Sequence, residues 1–190
     1  MRTILTTLLL CLCGAVMAQD AGRLYEEGKE LYDAKKYTQA IPKLHAAAEL
    51  GHKKAQYRLG RCYDKGHGIK EDDKQAVHWY RKSADQGFAK AQYELGKCYK
   101  NGEGIGKNRT MAVKYFQLAA AQDNAEAQLA LGKCYMKGKG TAADPVKAKY
   151  WFNKAIRNEK KGKEILADLR KKSAEGDPDA KKILEMVGKK

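Results

Sequence analysis

Phenylalanine, tryptophan and proline are scarce in this chain of 190 residues, which carries 3 Phe, 2 Trp and 3 Pro beside 11 Tyr. So few Phe and Trp argue against a large aromatic core, and so few prolines against a proline-rich stalk or long linker. Long apolar runs are missing beyond the first residues, so no later stretch approaches the ~20 apolar residues of a membrane span. Acidic residues are also short, 23 against 38 Lys and Arg, giving a formal charge of +15 at a mean hydropathy of −0.70. Serine occurs only as Ser83 and Ser173, neither in a G-x-S-x-G elbow. The four histidines, His45, His52, His67 and His78, form no H-x-x-x-H pair and have no cysteine at finger spacing. These absences leave no constellation for nucleophilic or metal chemistry, and no cofactor is expected.

The opening MRTILTTLLLCLCGAVMAQD has the layout of an export signal. Arg2 supplies a positive start, Ile4 to Cys13 an apolar stretch too short for a span, and Val16-Met17-Ala18 a cleavage context before Gln19. Residues 1–18 are therefore expected to be removed, leaving an exported chain with no span. The compartment would be periplasmic or extracellular, or the endoplasmic reticulum lumen in a eukaryotic host. Cys11 and Cys13 each follow leucine, which argues against lipidation. Cleavage removes one cation and two cysteines. A charge of +14 and three cysteines remain, an odd number for an oxidising compartment.

Self-comparison reveals a period of 36 residues. Ala55-Gln56, Leu59-Gly60 and Cys62-Tyr63 recur as Ala91-Gln92, Leu95-Gly96 and Cys98-Tyr99, then as Ala127-Gln128, Leu131-Gly132 and Cys134-Tyr135. Gly66, Gly68 and Ala76 recur at the same offsets. Each unit reads as helix, glycine loop, helix. Ala55, Leu59, Cys62 and Tyr63 form one apolar face at helical spacing. Gly66 and its equivalents can end the first helix at positive φ. Asp72, Asn108 and Asp144 are good N-caps for the second helix, and Pro145 stands in the favoured first position. The inner face of the second helix is Ala76, Trp79, Tyr80, Ser83 and Ala84, matched by Ala112, Tyr115, Phe116, Ala119 and Ala120.

The pattern A-Q-x-x-L-G-x-x-Y-x-x-G-x-G, followed by a cap and A-x-x-[WY]-[YF]-x-x-[AS]-A, resembles the Sel-1-like repeat, a relative of the tetratricopeptide repeat. The resemblance implies an all-α superhelix, or solenoid, of helix pairs, acting as a non-catalytic scaffold or adaptor for protein or peptide. Its expected organisation is a tetratricopeptide-like unit over 19–54, repeats over 55–90, 91–126 and 127–158, and a basic helical cap over 159–190. Asp123 and Glu159 depart from the family by replacing the glycine stop at Gly87, and Thr141 replaces the loop isoleucine. The cap faces are Ile165, Leu166, Leu169 and Ser173, then Ala180, Ile183, Leu184 and Val187.

Some exported relatives carry two cysteines per repeat that pair within it. This chain has one per repeat, at equivalent packed positions, so Cys62, Cys98 and Cys134 are expected to be buried thiols outside any disulfide. The loop Asn101–Lys107 lacks the spacing of a phosphate loop.

In this superfamily the first helices line a concave groove. Tyr25, Tyr57, Tyr93 and Leu129 would form one ladder there, beside a second of Lys29, Arg61, Lys97 and Lys133. The expected ligand is a peptide with an acidic stretch or a free C-terminal carboxylate. Two alternatives stand beside this reading. One is an exported enzyme or antibiotic-binding protein of the cysteine-rich kind. The other is a binder of anionic surface polymer through the basic cap, since residues 145–190 hold 14 Lys and Arg against 7 Asp and Glu. Nucleic acid is disfavoured by export and by the lack of an aromatic–basic RNA motif.

Overall fold

The computed structural model describes the backbone of residues 2–188 and the side chains of residues 17–188. The side chains of the apolar opening segment thus lie outside the described residues. Helix α1 runs Arg2–Asp33, α2 Tyr37–Glu49, α3 Lys53–Lys65, α4 Asp73–Asp85 and α5 Ala89–Asn101. Helix α6 covers Arg109–Ala121, α7 Ala125–Lys137, α8 Pro145–Arg157, α9 Gly162–Ala174 and α10 Pro178–Gly188. No strand occurs among the described residues, and the class is the all-α one of tandem helix pairs. The chain divides into two compact units between Ala91 and Gln92.

In the first unit α2 packs on α1 and α3, and α3 on α4. Its core is formed by Ala40, Leu44, Leu59, Cys62 and Trp79, with Tyr25 and Tyr32 of α1 closing one side. In the second unit α7 packs on α6 and α8, and the closing pair α9–α10 packs on α8. Phe116, Leu131 and Phe152 form that core, and Ile165, Leu169, Ala180 and Ile183 extend it. Leu166, Leu184 and Val187 are half-buried. The expected cap therefore covers the last apolar face, as the end of a repeat array requires.

The local signals act as the residues dictate. Asp72, Asn108 and Asp144 accept from the backbone N–H groups of Gln75, Met111 and Lys147 at 3.0, 2.9 and 2.9 Å. Gly66 and Gly138 end α3 and α7 at φ 64° and 63°, their N–H groups bonding to the Cys62 and Cys134 carbonyls. Asp123, where the sequence lacks a glycine stop, still adopts φ 61°. Its neighbours hold it there: the Gln128 side-chain amide donates to its carboxylate at 2.8 Å, and Asn158 to its carbonyl at 3.0 Å. At the other departure α8 ends in the same register as α4 and α6, but Asn158 is extended and accepts from the Lys160 and Lys161 N–H groups.

A buried glutamine pins each repeat. Gln56 donates to the Ala48 carbonyl at 3.0 Å and accepts from Gln86 at 2.8 Å. Gln92 accepts from Gln122 at 2.8 Å in the same manner. In the third repeat Asn158 takes the place of Gln86 and Gln122, one methylene shorter. It reaches the Asp123 carbonyl instead, and Oε1 of Gln128 is buried without a donor.

Candidate binding groove

In the first unit the expected ladder residues are mostly engaged by the protein itself. Tyr25 is buried and stacks on His52, ring centroids 4.4 Å apart. Lys29 donates to Glu26 at 2.9 Å. Tyr57 is half-buried and packs edge-on against Phe88 at 5.3 Å. Arg61 is half-buried. Beside them lies Arg58, which the ladder omitted. Its guanidinium sits 5.0 Å over the Tyr32 ring and pairs with Asp33 at 3.1 Å. It stands one residue before Leu59, and the fold shows its guanidinium held on an aromatic ring.

In the second unit Tyr93 is half-buried against Phe116 at 5.9 Å, and burial pushes its phenol pKa up. Lys97 donates to Glu94 at 2.6 Å and lies 5.6 Å over the Tyr93 ring. Tyr93, Leu129 and Lys133 come together in one concavity of about 420 Å³, with Phe116, Ala112 and Ala130 completing its apolar floor. Its rim is cationic: Lys100, Lys107 and Arg109 from the end of α5 and the loop into α6, and Lys137 and Lys139 from the end of α7. Glu126 is the one carboxylate lining it.

Lys133 is the fourth rung and the one that lines this concavity. It is half-buried and makes no hydrogen bond or ion pair with any described residue. Burial pushes its pKa down, and the charge of Lys172 pushes in the same direction. The charges of Asp179 and Asp177 oppose that shift without reversing it, and the burial cost that remains is one an anionic ligand would reduce. Lys137, by contrast, is paired with Asp179 of α10. The rim cations outside the ladder come from the glycine-loop segments. Their signal was the basic bias of Lys107-Asn108-Arg109 and Lys137-Gly138-Lys139, which a helix-periodic reading passes over.

The arrangement can hold a negatively charged, partly apolar segment. Among the described residues no group of His, Cys, Asp and Glu could hold a metal ion. Cys62, Cys98 and Cys134 are buried and outside any disulfide. Burial raises the Cys62 thiol pKa to about 11 and pushes that of Cys134 up, so neither is a poised nucleophile. No helix among the described residues is long and apolar enough to cross a membrane.

Tandem helix pairs of this kind define the class of α-helical repeat proteins. The chain belongs to the Sel1 repeat family: the family model matches residues 53–88, 89–124 and 125–159, more than half of the sequence. Proteins of this family are typically protein-interaction scaffolds, and the fold is generally non-catalytic. Among solved structures, the chain is similar to a Sel1 repeat protein from Oxalobacter formigenes, with 39% identity over 76% of this chain and a TM-score of 0.69. It is also similar to a protective antigen of uropathogenic Escherichia coli with an SLR fold, at 29% identity over 88% of this chain and a TM-score of 0.73. This chain covers 58% of the first structure and 38% of the second. Cysteine rich protein B of Helicobacter pylori shares the fold, at 20% identity over 74% of this chain and 96% of its own, with a TM-score of 0.50. No curated protein matches the chain.

Proposed function

We propose that this protein is an exported, non-catalytic scaffold that binds an acidic segment of a partner protein, or its free C-terminal carboxylate, in the groove of its second unit. The observation that carries the reading is the unpaired, half-buried Lys133 over an apolar floor of Tyr93, Phe116 and Leu129, ringed by five further cations and one carboxylate. Charge-assisted bonds to a carboxylate are the strong kind, and the floor supplies area for an apolar side chain beside it. A single exposed ion pair adds only ~0–1 kcal/mol, so affinity comes from summing the rim and burying the floor. Binding therefore weakens with salt without vanishing.

Export rests on Arg2, the apolar Ile4–Cys13 stretch and the Ala18/Gln19 junction. The compartment is periplasmic or extracellular, or the endoplasmic reticulum lumen in a eukaryotic host. Mass spectrometry of the accumulated protein should find Gln19 at its N-terminus, and an intact Met1 would overturn this part.

The binding test is a peptide array, acidic against basic and free against amidated C-termini. It is probed with wild type, Lys133→Glu, and Arg61→Glu combined with Lys97→Glu. Acidic peptides should be retained by wild type and lost with Lys133→Glu. The double variant tests whether rungs that do not line the concavity contribute to binding. A wild-type pattern indifferent to peptide charge would sink the reading.

A further inference from the structure

The outer side of α8 breaks with the other repeats. Val146 is 80% exposed and Tyr150, one turn on, 52% exposed. The period places Lys74 and Thr110 where Val146 stands, and His78 and Lys114 where Tyr150 stands. Four polar residues at equivalent surface positions are thus replaced by two large apolar ones on a single helix face. Half-buried Trp151 joins them, its ring 5.0 Å from that of Tyr150. The Lys154 ammonium lies over both rings, at 5.7 and 5.9 Å. Its aliphatic stem therefore adds to the apolar surface while the charge stays at the edge.

The surrounding charge is mainly positive, although Asp123 and Glu159 lie in one shallow concavity with Tyr150, Lys154 and Arg157. Helix α8 carries Lys147, Lys149, Lys154 and Arg157 and no carboxylate. Lys160 and Lys163 follow on the surface. Asp144 pairs with Lys147 and Glu164 with Lys161, and Glu159 is the carboxylate beside the Arg157 end, so cations outnumber carboxylates along this face. A second copy of this chain would bring cations against cations, so self-association is opposed. None of these residues lines the groove around Lys133.

We infer that the exposed face of α8 docks on an anionic lipid surface, with Val146, Tyr150 and Trp151 entering the headgroup boundary and Lys154, Arg157 and Lys160 meeting lipid phosphates. A tyrosine and a tryptophan beside lysines suit that boundary, where an apolar ring body and a polar tip are both satisfied. Neither half suffices. Two or three side chains enter too little apolar area, and cations alone stay on the surface, so binding requires both.

The test uses the chain as its host makes it, mixed with phosphatidylcholine vesicles and with vesicles that also contain phosphatidylglycerol. The decisive variant is Val146→Lys combined with Tyr150→Lys, which installs the residue types of Lys74 and Lys114. Both positions are exposed, so melting should be unchanged. Wild type should sediment with the anionic vesicles at least about ten-fold better than with the neutral ones. In the Trp79→Phe background, which leaves Trp151 as the sole tryptophan, emission should move to the blue on anionic vesicles. The double variant should lose the binding and the shift although it gains two positive charges. Equal or stronger binding by the double variant would mean that charge alone holds the protein to the vesicle, and the inference fails. It fails equally if wild type ignores anionic vesicles, or if the face supports only self-association or capture of an acidic protein.

Discussion

Gly96 faces the ring of Phe116 so closely that a methyl group on the glycine would stand 2.6 Å from a ring carbon. The same holds for Gly60 with Tyr80, at 2.7 Å, and Gly132 with Phe152, at 2.5 Å. Phe116 is fully buried, so the ring has nowhere to retreat. Alanine in a helix gains up to ~1 kcal/mol over glycine, but overpacking a rigid core costs ~1–3 kcal/mol. Gly60→Ala and Gly96→Ala should therefore lower the melting temperature, and valine at either position should lower it further. Gly22, in α1, has nothing within 4 Å of an added Cβ. Gly22→Ala should raise stability by ~0.5–1 kcal/mol. Lys74→Val, at an exposed position, should do little. Equal melting temperatures for Gly96→Ala and Gly22→Ala would show the glycine–ring contact to be incidental.

Thiol chemistry should report the burial of the cysteines. Cys62 is fully buried with a pKa raised to about 11, and burial also raises that of Cys134. The folded protein should react slowly with a thiol reagent near neutral pH, because the thiolate is scarce and shielded. A denatured, non-reduced chain beginning at Gln19 should titrate three thiols. A count of one would mean that two of the repeat cysteines had paired.

The repeat frame was legible because a solenoid repeats its packing. Leu59, Leu95 and Leu131, the caps and the ring-facing glycines recur because each copy solves the same contact. The recurring Ala-Gln pair showed the period but not its use, since a buried glutamine and a surface one look alike until Gln86 or Gln122 is seen to meet it. The tyrosine–lysine ladder was legible as a periodic stripe, yet its rungs are unequal. Glu26 and Glu94, one helical turn before Lys29 and Lys97, take up those ammonium groups. Lys133 has alanine at that place, Ala130, so no carboxylate of its own helix takes up its ammonium one turn before it. That difference could have been read from the i−3 residue. The rim cations left only a basic bias in the sequence, and it is the loop geometry that brings Lys100, Arg109 and Lys139 to one concavity.

His52 makes the first unit sensitive to acid. Its Nδ1 accepts from the Ala55 N–H at 3.3 Å, capping α3, and its ring stacks on Tyr25. Burial lowers its pKa below the ordinary 6.5, Lys54 and Lys53 add to the shift, and Glu26 opposes it. A folded-state pKa that is depressed means that the unfolded chain takes the proton first. The cap's contribution is thus complete above about 6.5 and is lost as pH falls through the lower folded value. Protonation also sets a positive charge at the positive end of α3. His52→Asn supplies the residue that caps α7 as Asn124, without the titration. The variant should lose less stability than wild type between about pH 8 and about pH 5. Parallel pH–melting curves for the two would assign the acid sensitivity elsewhere.

The Lys137–Asp179 pair sets a condition on the ligand of the groove. Asp179, near the start of α10, holds a rim cation that an acidic segment would otherwise meet. Asp177 and Asp179 also offset part of the burial penalty on Lys133. The protein's own carboxylates thus occupy the edge of the site, and a ligand must compete with them for Lys137. Both partners are partly exposed, so the pair is worth at most ~1 kcal/mol. Asp179→Asn should accordingly tighten the binding of an acidic peptide by about two- to five-fold and steepen its dependence on salt. Lys133→Gln should weaken it and flatten that dependence. Asp179→Asn should leave the melting temperature within a few degrees of wild type, because Ala180 and Ile183 still anchor α10. The two variants thus move affinity in opposite directions through one electrostatic site, a pattern that a general loss of fold cannot produce. If both leave the affinity of an acidic peptide unchanged, the cationic rim is a solvated face and the ligand binds elsewhere.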